Sequence, residues 1–477
     1  MTDLVGLDVG TTGVKALRIS ADGKVLTRAE EGYPLATPRT GWAEQDPEDW
    51  WRAARSALAQ VGGDGVAGIG LSGQMHGLVA LDEADRVIRP AILWNDQRTG
   101  EECAQIEALL GLHKLVELTG NRALPGFTAP KLLWLRKHEP DAYAQIAHVL
   151  LPKDYVRLRL TGDHATDVAD ASGTLLFDVA GRQWSEEVVQ ALEVPGEWLP
   201  AALESPAVSG KTAAGIPVAA GAGDQAAGAV GVGVDGPGPL SVVLGTSGVV
   251  FAALPGFAAE PQGRVHAFCH AVPGAWHAMG VMLSAAGSLG WLRSVAASGE
   301  RADDVVAQAD AWLPGVEGLT FLPYLAGERT PHVDPNARGA FIGLSLRHDR
   351  GALVRAVLEG VAFGLRDSLE LLRELGVDPV SARVSGGGAR SDLWLRIVAS
   401  VLALPLERTA VEEGAAFGAA LLGGVAAGVF ADVHEAIAAT VHVRETVDPE
   451  PAWIEPYAGV YERFRSLYPA LRPLEDE

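Results

Sequence analysis

Two short stretches of this chain, roughly half its length apart, are built alike. Leu7–Ala16 reads as an apolar strand, a Gly10-Thr11-Thr12-Gly13 turn and a second apolar strand, and Val243–Val250 repeats the pattern around Gly245-Thr246-Ser247-Gly248. A second pair follows in the same order, Gly68–Gln74 and Ala382–Gly388, each running from a strand into a glycine turn. A duplication of this kind constrains the architecture more than any local propensity. In the first half, strands are expected near residues 14–20 and 24–35. A helix should then open at Asp46-Pro47, where Asp suits the N-cap and Pro the first helical position, with Trp50, Trp51, Ala54, Leu58 and Val61 at helical spacing. Strand, tight turn, two strands, helix and strand, twice over, describe an α/β chain with a duplicated mixed sheet flanked by helices. The expected division is residues 1–235 and 236–477, two lobes with a cleft between them.

Two further patterns belong to the second half. Val354, Leu358, Val361, Leu365, Leu369 and Leu372 recur at spacings of three and four, which predicts a core helix over about 351–375. Gly414–Ala431 is uncharged and approaches bilayer length, but its glycines and alanines suit close packing against other elements better than lipid.

The chain of 477 residues is long enough for two large cores. Its 60 acidic against 38 basic residues give a net charge of −22, which opposes general binding to nucleic acids or anionic membranes. An anionic substrate must therefore be met by local donors. The start Met1–Asp8 reads as a first strand rather than a signal peptide, so a cytoplasmic protein is expected. Cys103 and Cys269 stand in no metal-ligand spacing and imply no disulfide framework.

A strand ending in Gly-Thr-Thr-Gly gathers backbone N–H groups and hydroxyls in one turn, which suits phosphate oxygens, and Asp8 before it could hold a hydrated Mg²⁺. A single such turn is more simply a hairpin; two in equivalent places favour a nucleotide. Rival motifs fail. Ser205 replaces the first glycine of a phosphate-binding loop ending Gly210-Lys211-Thr212, and Pro237 and Pro239 follow Gly231–Gly236 where a helix should open. Gly221-Ala222-Gly223-Asp224-Gln225-Ala226 fits the dinucleotide variant but has no acidic residue about 20 positions on, so a dehydrogenase survives only as an alternative.

Asp224 is the only charged residue between Lys211 and Asp235, set among small residues that admit a substrate. It could cap a helix or act as a general base, and the two roles are compatible because a helix N-terminus favours the ionised carboxylate.

These residues together resemble the FGGY carbohydrate kinase family. The likeness runs from Leu4–Thr12 through Phe127–Leu135 and Gly339–Leu344 with Val357-Leu358-Glu359 to Ser385–Ser391, in order along essentially the whole chain. Ser72-Gly73-Gln74-Met75-His76-Gly77, Leu93–Asp96, Leu151–Tyr155 and Asp170–Thr174 resemble the members that act on D-xylulose. The resemblance implies a two-lobed ribonuclease H-like, actin-like ATPase fold and transfer of phosphate from ATP to the terminal hydroxyl of the sugar. By the same resemblance Asp224 is the base, Met75 and His76 contact the ketopentose, and Trp94, Asn95 and Asp96 contribute to its pocket. Asp8 stands near Mg²⁺, and Thr11, Thr12 and Lys15 near the phosphates. Gly245, Thr246 and Ser247 receive phosphate oxygens from the other lobe, while Gly387 and Gly388 line the adenosine side. Asp392 stands where relatives often carry Asn and is given no adenine contact. A homodimer is implied as well. Another ketose such as ribulose, or a polyol, is the rival substrate; a non-catalytic actin-like ATPase would need neither Asp224 nor Met75-His76.

Overall fold

Strand β1 (Asp3–Val9) buries every residue except Asp8, which is partly open, and turns through Gly10–Thr12 into antiparallel β2 (Gly13–Ser20). These elements come from a computed structural model that describes residues 2–474. The turn closes with the Gly10 N–H donating to the Gly13 carbonyl at 3.1 Å. Gly13 is required there, because a Cβ would sit 2.6 Å from the carbonyl oxygen of Glu31 on β3 (Val25–Gly32). Helix α1 (Pro47–Val61) starts as its sequence dictates: Asp46 accepts from the Glu48 N–H at 2.9 Å, Pro47 opens the first turn, and Trp50, Ala54, Ala57 and Val61 face inward. The chain then returns as β4 (Val66–Gly73), parallel to β1.

The remaining strands of this sheet come from much later in the chain. Strand β5 (Val208–Lys211) pairs antiparallel with β6 (Pro217–Ala219), β6 lies parallel to β4, and the short β7 (Ala222–Gly223) runs beside the end of β4. The order is β5-β6-β4-β1-β2-β3, with β7 against β4. Because Gly223 pairs with Gly73, helix α2 (Asp224–Gly231) begins where β4 ends.

The second sheet repeats the scheme. Strands β8 (Pro239–Leu244), β9 (Gly248–Leu254), β10 (His266–Cys269) and β11 (Trp276–Met282) are followed by helix α3 (Arg350–Glu374) and β12 (Ser381–Ser385). Helix α4 (Asp392–Leu402), β13 (Leu406–Thr409), helix α5 (Gly414–Ala426) and β14 (Val443–Val447) complete it in the order β10-β11-β9-β8-β12-β13-β14. Here β8 pairs antiparallel with β9, β9 antiparallel with β11 and β8 parallel with β12. The β1, β2, β3 and β4 relationships recur one for one. Helix α3 runs close to the span that its spacing predicts, and inside it Arg355 and Glu359 form a buried pair at 2.8 Å that is completed by the Tyr457 hydroxyl and the Gly315 N–H. Glu359, part of the family-like Val357-Leu358-Glu359, is thus a structural carboxylate.

Helix α5 belongs to the second half in sequence but packs on the first sheet. Its backbone lies directly on β1 and β4, where a Cβ at Gly6 would stand 1.9 Å from the Ala416 carbonyl oxygen and one at Gly70 1.8 Å from that of Ala419. Against α2 the approach is equally close, since a Cβ at Gly418 would meet the Ala227 carbonyl oxygen at 1.9 Å. These obstacles are backbone, so no rotamer change relieves them. Gly418→Ala is expected to lower unfolding free energy by about 1–3 kcal/mol, seen as a lower urea midpoint at unchanged slope. Among the described residues no helix is long and apolar enough to cross a membrane, and both cysteines are buried and unpaired.

Candidate active site

The first turn is braced from beneath. The Gln45 amide donates to the Thr11 carbonyl at 2.7 Å, the Tyr33 hydroxyl and the Gln74 amide donate to the Gly10 carbonyl, and the Trp94 indole N–H donates to the Thr11 hydroxyl at 3.0 Å. With its carbonyls satisfied, the turn leaves its outward amides and the exposed Thr12 side chain available. Asp8 sits at the base. Register pairs it with Lys15 on β2 and Ser72 on β4, and its Oδ1 is buried with no hydrogen-bond partner among the described residues. Burial raises its pKa above the ordinary carboxylate value, against the opposing pull of Lys15 and then Ser72.

Asp224 is not the cap of its helix. Gly223 occupies the N-cap, no side chain caps the end, and Asp224 is the first helical residue with its carboxylate partly open. Burial lifts its pKa to about 7, the charge of Asp8 adds to the rise, and Gln225 opposes it. Met75 packs onto the same spot: a Cβ at Gly223 would lie 2.7 Å from Met75 Cγ. His76 follows with φ 68°, its ring edge-on to Phe127 at 4.8 Å, and it stays neutral because burial, then Lys131, His266 and Arg329, depress its pKa far below normal. Gly173 makes room for that ring, since a Cβ there would stand 2.0 Å from His76 Nδ1. Asn95 contributes a buried Oδ1 that has no hydrogen-bond partner among the described residues. Asp96 does not reach the pocket. Fully buried, it is consumed by the Ala43 N–H and the Arg98 guanidinium, both at 2.7 Å, which makes it a structural anchor.

At the second turn, the Gly245 and Thr246 carbonyls accept from the Ala286 and Ala285 N–H groups at 2.8 Å each, while the Thr246 side chain is exposed. The glycine run after β12 divides its tasks. Gly386, with φ 88°, and Gly387 line a cavity of about 580 Å³ together with Lys15, Arg28, Arg390 and Arg408. Gly388, expected on the adenosine side, is instead buried behind it, where a Cβ would meet Leu244 and Trp394 at 2.9 and 3.0 Å. Asp392 is held by Arg408 at 2.7 Å. Lys15 has no ion pair among the described residues, so the cation that faces the cavity is also the register partner of Asp8.

Two supports lie in the family-like segments Phe127–Leu135 and Leu151–Tyr155, where the sequence assigns them no role. Lys131 is buried beneath His76, donating to its carbonyl at 2.8 Å and to that of Gly126 at 2.6 Å, and desolvation brings its pKa down to about 7. Lys153, fully buried, lies 2.7 Å from Asp154 and Asp167 and 3.3 Å from Asp170. A Cβ at Gly73 would lie 3.1 Å from its stem, so this cluster underpins the end of β4. Only the density of acids around 154–170 could have signalled it.

A phosphate-type turn on each sheet, a cavity lined by Lys15 and the glycine run after β12, and two carboxylates of perturbed pKa are the groups that phosphoryl transfer needs. Comparison with known proteins agrees. Residues 4–231 match the N-terminal domain of the FGGY family of carbohydrate kinases and residues 240–427 its C-terminal domain. The chain is 42% identical to a xylulose kinase of Escherichia coli (strain K12), covering 98% of this chain and 99% of that one, and 40% identical to one of Klebsiella pneumoniae over the same shares. The crystal structure of xylulose kinase from Rhodospirillum rubrum superposes with a TM-score of 0.92 at 32% identity, over 100% of both chains. With both domains matched along its length and its two sheets arranged as theirs, the chain belongs to the FGGY family of carbohydrate kinases.

Proposed function

We propose that this protein phosphorylates D-xylulose on its terminal hydroxyl with ATP, giving D-xylulose 5-phosphate and ADP. The observation that carries the reading is Asp224, a partly open carboxylate at the first position of α2 beside the end of β4, with Met75 against Gly223 before it, in a chain similar over its whole length to xylulose kinases. Residues 1–235 would hold the sugar and 236–477 the nucleotide, in a cytoplasmic protein that works as a homodimer.

Asp224 accepts the proton of the sugar hydroxyl as that oxygen bonds to the γ-phosphorus of ATP and the bond to the bridging oxygen of ADP breaks. Its pKa of about 7 suits this, since the group is ionised at working pH yet basic enough to hold the proton. Met75 supplies an apolar wall for the carbon face of the sugar, and neutral His76 a hydrogen-bonding ring. Trp94 and Asn95 close the pocket beside Thr11. The nucleotide lies in the cavity at Gly386 and Gly387, with Gly388 shaping that turn from behind. Its phosphates run past Lys15 to Thr11 and Thr12, and Gly245, Thr246 and Ser247 meet them from the other sheet. Mg²⁺ fits at Asp8, whose buried Oδ1 lacks a partner among the described residues and whose carboxylate is of the type that holds a hydrated divalent ion. When bound, it neutralises charge on the phosphate oxygens.

The test is ADP release by the purified protein with Mg²⁺ and ATP, without sugar and with D-xylulose, D-ribulose, L-ribulose, L-xylulose, glycerol or xylitol. Slow release without sugar and a clear preference for D-xylulose are expected, because the base has no substrate proton to take until the ketose is seated. A preference for another sugar would overturn the substrate and keep the kinase. Silence across the panel would overturn both.

A further inference from the structure

Three side chains of metal-binding type meet at the surface of the first half: Asp85, His148 and His164. One ligand atom from each lies within 4.8 Å of the other two, and no other group of three His, Cys, Asp or Glu among the described residues comes this close. Each stands on a backbone that is itself fixed. Asp85, with φ 59°, lies in a turn where the Asp82 carboxylate accepts from the Ala84 and Arg86 N–H groups at 2.9 and 3.0 Å. His148 opens the strand His148–Leu150, which runs antiparallel to Val79–Leu81 with His148 opposite Leu81. His164 follows the helix Pro152–Thr161, and Arg157 of that helix donates to the carbonyls on either side of it, that of Asp163 at 3.1 Å and that of Ala165. The chain thus leaves His148, passes through the helix and returns to place His164 against it.

The side chains are arranged as ligands of one ion. His164 Nε2 and Asp85 Oδ1 are 2.7 Å apart, and the rings of His148 and His164 stack at 4.2 Å with 29° between their planes. Two ligands of a tetrahedral zinc ion, each at about 2.1 Å, stand about 3.4 Å from each other, so small side-chain rotations bring all three onto one ion. The His148 ring makes no hydrogen bond among the described residues. Burial and then the neighbouring His164 lower its pKa, against the pull of Asp85, so it offers a neutral nitrogen at neutral pH. The His164 and Asp85 side chains are 30% and 43% exposed, which gives an ion a path in and leaves room for water. Two imidazoles with one carboxylate suit Zn²⁺, Ni²⁺ or Cu²⁺, whereas Mg²⁺ takes oxygen ligands.

We propose that Asp85, His148 and His164 form a zinc site that braces the first half, separate from the Mg²⁺ position at Asp8. Three protein ligands hold the ion and water completes its shell. The ion replaces the hydrogen between His164 Nε2 and Asp85, and that ring carries its proton on Nδ1 instead. It joins the turn after Val79–Leu81 to both ends of the helix Pro152–Thr161. That helix carries Lys153 and Asp154, so the brace bears on the charged cluster beneath the end of β4. Because the site exists only where the three segments are folded together, zinc binds the folded chain and stabilises it by mass action.

The experiment titrates the full-length protein, stripped with EDTA and kept free of nucleotide, with ZnCl₂ by calorimetry, and melts it with and without zinc. The wild type is expected to take up one ion per chain and to melt higher in its presence. The double variant His148→Ala/His164→Ala and, separately, Asp85→Asn should each weaken binding by at least about 10- to 100-fold, the cost of losing even an indirect partner of a metal. Both should lose the zinc-dependent rise in melting temperature while melting close to the wild type in EDTA. Asn tolerates the left-handed backbone of position 85, so Asp85→Asn keeps the turn and removes the charge. Zinc bound equally by the wild type and both variants, or by none of them, overturns the proposal. Uptake that the variants lose, but that does not raise the melting temperature of the wild type, overturns the brace and keeps the site.

Discussion

Asp224→Asn is expected to lower turnover by about 10²- to 10⁴-fold, the usual worth of a positioned general base, while the affinity for ATP stays unchanged. Asn keeps the size of the side chain and can accept no proton. Gly223 holds the N-cap and Asp224 the first helical position, so the substitution removes the proton acceptor while the cap residue stays in place. Isothermal titration with ATP, set beside steady-state kinetics, checks both halves, and loss of ATP binding would mean that the carboxylate shapes the nucleotide site. The wild-type kcat/KM should fall below about pH 7, where the base becomes protonated. Stability moves the other way. The folded pKa lies above the ordinary carboxylate value, so the contribution of this group to stability is fully present below about pH 4 and is lost as pH rises through about 7. Asp224→Asn should therefore melt higher than wild type at pH 8 and equally at pH 4, which is a stability gain at the expense of activity.

Asp8→Asn carries the second large effect. It removes the carboxylate at the base of the first turn and is expected to cost about 10²- to 10³-fold in turnover, comparable with the loss of one electrostatic partner of a transition state. The same change has a diagnostic sign in the pH profile. Asp8 raises the pKa of Asp224, so without its charge the acid limb of the residual activity shifts to lower pH. A residual activity whose acid limb stays at pH 7 would show that the two carboxylates do not share a site.

Much of this was legible in the residues because it rests on local rules. Asp46-Pro47 opens a helix by capping, the spacing of Val354 to Leu372 follows one face of α3, and the two Gly-Thr turns must be hairpins of equivalent sheets. Where the reading went astray, a contact between distant residues decided the outcome. Gly388 belongs to the glycine run, yet Leu244 and Trp394 claim it, and Asp96 stands beside Trp94, yet Arg98 and Ala43 consume it. Nothing in the spacing of Lys153, Asp154, Asp167 and Asp170 says that three carboxylates converge on one ammonium.

By itself the sequence determined the duplication, the strands and helices of each half, the family, and the residue types that phosphoryl transfer needs, because periodicity, capping and turn chemistry act within a few residues. Only the tertiary structure decided that α5, late in the chain, lies on β1 and β4 through backbone-to-backbone contact at Gly6 and Gly70, and that Gly223 leaves Asp224 free beside Met75. Such placements depend on which surfaces meet across hundreds of residues, and that is set by packing and by the pairing of buried charge rather than by any neighbour in the chain.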